Sequence, residues 1–288
     1  MSLETFDGKL VFFKTRDDMK TAGFLMEYGK DDIVLFIHGM GGNFYKMGFL
    51  KGARELSKMG ISFFSFNIRG ADIVKDFRDM RGEHHTMGTA FERFEDLEKD
   101  IGAAIDFLSS LGFKRFHLIG HSTGCQKILY YAWKSGDSRV KSLIHVSPAE
   151  DYEIWKNSLG EDFEKFVEMA WEMQSKGDGD KLLIPLYEKT GEIWSASRFL
   201  SFASRENYEA RMFNYEGLEI FSQVKLPMQI FLGTEDPYFP RGVEWYASKL
   251  RNAYKGRNLR IEIMPGDHSF HGYEETLFQK IEGFVRAL

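Results

Sequence analysis

Phe116-His117-Leu118-Ile119-Gly120-His121-Ser122-Thr123-Gly124 sets a serine between two glycines, directly after a short apolar run and at the start of a segment with helical character, Thr123–Lys134. A chain with 28 Gly spells G-x-S-x-G by chance about 0.2 times, so the spelling alone is weak. Its weight comes from the strand–turn–helix setting. A serine there occupies a sharp turn with unfavourable backbone angles, and its hydroxyl projects past the edge of the sheet. Gly120 and Gly124 remove the side chains that would collide where strand and helix approach closely. The helix that follows brings free N–H groups and a positive dipole end to the same place.

Outward from this segment the chain alternates. Leu10–Lys14 and Thr21–Tyr28 flank the polar Arg16-Asp17-Asp18 and predict a leading hairpin. Ile33–Ile37 is an unbroken apolar run, the pattern of a strand buried on both faces. Phe44–Met59 is expected to be helical, Ile61–Phe66 a strand, and Phe91–Leu111 an amphipathic helix with Phe94, Leu97, Ile101, Ala104, Ile105 and Leu108 on one face. Ser142–Val146, Met228–Leu232 and Leu259–Ile263 read as further strands, and Arg241–Arg251 and Tyr273–Leu288 as helices. Strands alternating with helices imply a mostly parallel sheet covered on both faces.

Residues 149–222 break the alternation. They carry Trp155, Trp171 and Trp194, three of the five tryptophans, with no clear buried strand. The expected organisation is one α/β core (1–148 and 223–288) with a helical cap (149–222) over the carboxyl ends of the strands, where open sheets bind ligands. Arg198, Arg205 and Arg211 of this segment are expected at the solvated surface, and its tryptophans in packing, with one or two lining an apolar pocket.

A serine hydroxyl needs a base to take its proton and an acid to orient that base. Met228–Leu232 runs into Gly233-Thr234-Glu235-Asp236, and Leu259–Ile263 runs into Met264-Pro265-Gly266-Asp267-His268. Asp236 is the expected acid, with Glu235 its neighbour and rival; His268 is the expected base, with His271 the competitor. His38-Gly39-Met40-Gly41-Gly42-Asn43 follows the first buried strand, where a glycine-rich turn lets backbone N–H groups approach a developing oxyanion. The donors assigned are the N–H groups of Met40 and Thr123, and His38 is expected to brace the loop. A dinucleotide fingerprint starting at Gly39 fails at Phe44, and no phosphate-loop motif exists. His268 and His271 lack a third ligand at suitable spacing, so no metal is expected. Glu83-His84-His85 reads as an exposed loop, and Cys125 as a small core residue.

Composition narrows the classes further. The 288 residues include 27 Phe, 12 Tyr and 5 Trp, enough for a large core and an apolar pocket besides. A net charge of −5 with no basic run argues against nucleic acid. A single cysteine excludes an internal disulfide and fits a reducing compartment. Met1–Asp7 carries acids where a secretion signal needs a basic and then an apolar stretch, so a cytoplasmic location is expected.

With His38-Gly39-Met40-Gly41-Gly42, Gly120-His121-Ser122-Thr123-Gly124, Asp236 and His268 in this order, the chain resembles serine-dependent α/β-hydrolases over nearly its whole length. The resemblance implies an eight-stranded, mostly parallel sheet, a Ser122–His268–Asp236 triad, no cofactor and a small-molecule ester substrate. Thioester or amide cleavage and a non-catalytic ligand receptor are the alternatives. Asn67-Ile68-Arg69-Gly70 keeps only Arg-Gly of a longer motif found in many relatives, a departure that bears on substrate class. Asn43-Phe44-Tyr45-Lys46 and Ser195-Ala196-Ser197-Arg198-Phe199 are similar to a branch that includes fungal siderophore esterases.

Overall fold

A computed structural model describes residues 5–57 and 60–288. The strands are β1 (Lys9–Lys14), β2 (Lys20–Met26), β3 (Asp32–Ile37), β4 (Ser62–Phe66), β5 (Lys75–Arg78), β6 (His84–Met87), β7 (Arg115–His121), β8 (Val140–Val146), β9 (Met228–Gly233) and β10 (Leu259–Met264). Eight of them form one sheet in the order β1-β2-β4-β3-β7-β8-β9-β10. The β1–β2 and β2–β4 pairs are antiparallel, and the other five are parallel.

Period-two alternation explains how the sheet is covered. Ile33, Leu35 and Ile37 of β3 join the core on one face, with α2 (Leu97–Ser110), α3 (Thr123–Ser135) and α10 (Val243–Ala253). Val34 and Phe36 point the other way, into the core built with α1 (Met47–Ser57) and α11 (Glu274–Arg286). A strand with an unbroken apolar run, Ile33–Ile37, therefore belongs at the centre, and β3 lies there beside β7.

Between β8 and β9 run α4 (Asp151–Leu159), α5 (Phe163–Ser175), α6 (Ile184–Thr190), α7 (Ala196–Ala203), α8 (Tyr208–Met212) and α9 (Glu219–Gln223). Phe163, Phe166, Ala170, Leu186, Trp194 and Phe199 give this stretch an apolar cluster of its own. Trp171 packs against that cluster, and Trp155 meets Trp194 edge to face at 5.7 Å.

Three sequence expectations need correction. The segment from Phe44 becomes helical only at Met47, because Asn43–Lys46 is held as a loop: the Phe44 N–H donates to Asn67 Oδ1 (3.0 Å) and Asn43 Nδ2 to Asp72 Oδ1 (3.1 Å). The expected helix end at Met59, like Met1–Glu4, lies outside the described residues. His84 and His85 are in a strand, β6, which pairs with β5 as a separate two-stranded ribbon. Arg198, expected at the surface, is buried, with 1% exposure.

The reason Arg198 is inside is charge pairing. Its guanidinium reaches Glu92 Oε1 (3.0 Å) and Glu209 Oε1 (2.9 Å), and its Nε donates to the Thr89 carbonyl (3.0 Å). Lys127 Nζ donates to both Glu92 oxygens at 2.9 Å. Two cations and two carboxylates thus neutralise one another in the interior, joining α7 and α8 to α3 and the loop before α2. Arg198→Met strands Glu209, and breaking a buried pair in this way costs roughly 3–5 kcal/mol. Urea denaturation of the variant should show a loss of that order; a loss below about 1 kcal/mol would contradict the cluster's role.

Candidate active site

β7 ends in the turn that carries Ser122, whose φ of 54° lies in the left-handed region. Such a conformation costs a non-glycine residue about 1–3 kcal/mol and persists only where its surroundings enforce it. The enforcement is steric. A Cβ on Gly120 would stand 2.2 Å from the Gly124 carbonyl, and one on Gly124 would stand 2.2 Å from the Ile37 carbonyl. Helix α3 is thereby pressed against both β7 and β3. The Ser122 N–H donates to the Val146 carbonyl (3.0 Å), which ties the turn to β8 as well.

Thr123 opens α3, so its N–H has no acceptor within the helix. Gly39 and Met40 lie beside this turn; a Cβ on Gly39 would stand 2.8 Å from the His121 carbonyl. His38 is buried, and burial pushes its ring down to about 4, so it is neutral at pH 7. Its Nδ1–H donates to the Gly39 carbonyl at 3.0 Å, which fits the bracing role.

Asp236 follows β9 and His268 follows β10, two adjacent parallel strands, and the side chains meet. His268 Nδ1 donates to Asp236 Oδ2 at 2.8 Å, and the Tyr238 N–H donates to Asp236 Oδ1 at 3.0 Å. This partnering leaves the lone pair on His268 Nε2. Glu235 is exposed, so the two adjacent acids are distinguished by burial. His271 turns instead to Asp267, with Nδ1 to Oδ2 at 2.7 Å, so it and His268 serve different carboxylates. Ser122, His268, Met40 and Thr123 all line one cavity of about 1100 Å³. Trp155, Trp194 and Leu159 of the 149–222 segment form part of its wall.

Besides His121, three contributors to this cavity, Lys46, Tyr238 and Asp151, escaped the sequence. Lys46 Nζ donates to His121 Nδ1 (3.0 Å), and His121 Nε2 donates to the His268 carbonyl (2.9 Å). Burial, with Lys46 alongside, holds His121 well below its ordinary pKa, so it bridges as a neutral ring. Tyr238 meets His268 edge to face at 4.7 Å. Asp151, at the start of α4, accepts from Gln126 Nε2 at 2.8 Å. None of these has a local motif, since each contact spans loops far apart in sequence. Cys125 is buried as expected: its thiol donates to the Gly120 carbonyl (3.1 Å), and burial raises its pKa well above the ordinary value.

The chain has the α/β-hydrolase fold. A family model described as alpha/beta hydrolase fold matches residues 32–170. Solved structures agree along the full length. Est1E of Butyrivibrio proteoclasticus with ferulic acid bound is 16% identical, with 96% of this chain and 98% of that one covered at a TM-score of 0.68. DcsB in complex with its substrate analogue is 15% identical, with 98% and 99% covered at 0.71. A thermostable carboxyl esterase of Bacillus coagulans, in complex with glycerol, is 14% identical, with 98% and 99% covered at 0.64. No curated protein matches the sequence. No helix among the described residues is long and apolar enough to cross a membrane.

Burial, reinforced by the Glu209 charge, pushes Asp151 up to about 8. The folded protein therefore keeps this proton where the unfolded chain releases it near pH 4. Stability associated with protonated Asp151 is complete below about pH 4 and is lost as pH rises towards 8. Asp151→Asn removes that titration. Its stability relative to wild type, measured by urea denaturation, should rise by about 2–4 kcal/mol between pH 5 and pH 8. A difference that does not change with pH would contradict the raised value.

Proposed function

We propose that this protein is a serine hydrolase that cleaves carboxylic esters through an acyl-enzyme, with Ser122 as nucleophile, His268 as base and Asp236 as orienting acid. The observation that carries the reading is the His268 Nδ1–Asp236 Oδ2 hydrogen bond, whose histidine faces the same cavity as strained Ser122. The solved esterases of the same fold support ester chemistry.

In this mechanism Ser122 Oγ attacks the acyl carbon as His268 Nε2 takes its proton. The carbonyl π pair moves to oxygen, where the N–H groups of Met40 and Thr123 stabilise the negative charge. Collapse breaks the C–O bond, and His268 returns the proton to the leaving alcohol. Water, activated by the same histidine, then releases the acid and frees Ser122. Asp236, hydrogen-bonded to Nδ1, holds the ring in the useful tautomer. No step needs a cofactor. The segment 149–222 acts as a cap: its Trp155, Trp194 and Leu159 supply an apolar wall for the acyl or alcohol group.

A fluorophosphonate probe should label the wild-type protein and leave Ser122→Ala unlabelled. Equal labelling of folded Ser122→Ala would remove Ser122 from the nucleophile's role. Asp236→Asn should lower kcat by roughly 10³–10⁴-fold, as expected when the histidine loses its tautomer. Near-normal turnover of that variant on a short-chain aryl ester would move the acid elsewhere.

A further inference from the structure

Lys46 is the unusual charge of the cavity wall. Its Nζ donates to His121 Nδ1 (3.0 Å) and Ser269 Oγ (3.4 Å), both neutral groups, and lies 5.5 Å from the centre of the Phe49 ring. It forms no salt bridge among the described residues. Asp267 is the acid whose charge favours this ammonium, but its carboxylate is occupied by His271 Nδ1 and by the N–H groups of Ser269 and His271. Burial accordingly pushes Lys46 down to about 8, which still leaves it mostly charged at pH 7.

The acids that line the cavity do not compensate it. Glu150 is bound by Arg205, Glu153 lies 3.6 Å from the same guanidinium, and Asp151 keeps its proton. Glu192 is exposed. An ammonium has three donors. Two of those on Lys46 are used inside the protein, which leaves one N–H and one unit of positive charge for whatever enters. A half-buried cation without a counter-ion is costly, and a substrate that brings the counter-ion recovers that cost.

Position selects the side of the substrate. Lys46 holds the residue before Ser122 and the residue after His268, and His121 donates to the His268 carbonyl. It therefore stands on the histidine's side of the nucleophile. If His268 is the group that protonates the departing oxygen, as proposed above, that is the side of the leaving alcohol. A single available donor and a single charge match a carboxylate better than a phosphate dianion. We propose that Lys46 receives a carboxylate on the alcohol portion of the substrate, so that the site prefers esters of hydroxy acids. Water enters and the ester C–O bond breaks; the products are the acyl acid and a hydroxy acid.

The test compares 4-butyryloxybenzoate with its methyl ester at pH 7, in wild type, Lys46→Met and Lys46→Arg. The ratio of kcat/KM for the acid over that for the neutral ester should fall at least tenfold in Lys46→Met and recover in Lys46→Arg. A ratio that stays within threefold of wild type overturns the proposal, since a purely positioning lysine would slow both esters alike. A binding measurement separates this inference from the ester reading. Calorimetry should detect 4-hydroxybenzoate binding to Ser122→Ala, weakened at least tenfold by adding Lys46→Met. Absence of binding overturns the carboxylate site whatever the esters do. Binding without turnover of either ester, and without fluorophosphonate labelling, supports the carboxylate site and overturns the ester reading.

Discussion

The constraint on which the site depends is the tight seat of α3 against β7 and β3. Two backbones meet there with no room for a Cβ at Gly120 or Gly124, and Ser122 is forced into a left-handed conformation between them. The rest of the site is arranged around this pinch. Because β3 and β7 are adjacent and parallel, the Gly39–Met40 loop and the Ser122 turn emerge at the same edge. Because β9 and β10 are also parallel neighbours, Asp236 and His268 emerge there too. The strain at Ser122 is sustained by the packing of two large apolar cores, one on each face of the sheet.

A second constraint links this site to the helices between β8 and β9. Arg198 and Lys127 enclose Glu92, and Arg198 also takes Glu209, within a region closed to water. Lys127 lies on α3, five residues past Ser122, so the helix that shapes the serine turn also carries part of the ionic joint. Asp151 borders both, touching Gln126 of α3 and lining the cavity. Its retained proton is consistent with a region where two carboxylates are already matched by two cations, and a third would find no partner.

Much of this architecture was legible in the sequence. The unbroken apolar run Ile33–Ile37 marked a central strand, and a serine, an acid and a histidine, each following a strand-like segment, marked the candidate site. The order placed Asp236 ahead of Glu235 only by position; the structure separates them by burial. The failures share a cause. Arg198 looked like a surface residue because it is charged, and its partners Glu92 and Glu209 come from different elements. The 75–87 ribbon carries no apolar alternation strong enough to announce strands. The start of α1 was read too early because Phe44 is apolar, whereas the Asn67 side chain captures its N–H and keeps the segment a loop.

By itself, the sequence determined the alternation of strands and helices, the double-sided burial of the sheet and the glycines that permit the serine turn. These are properties of periodicity and side-chain size, and they act over a few residues. The tertiary structure alone decided which charges are buried and with whom, and that Lys46 bridges to His121 while standing in the cavity without a carboxylate partner. Those outcomes depend on distances between loops remote in sequence and on local exclusion of water. Neither quantity is written in any single segment of the chain.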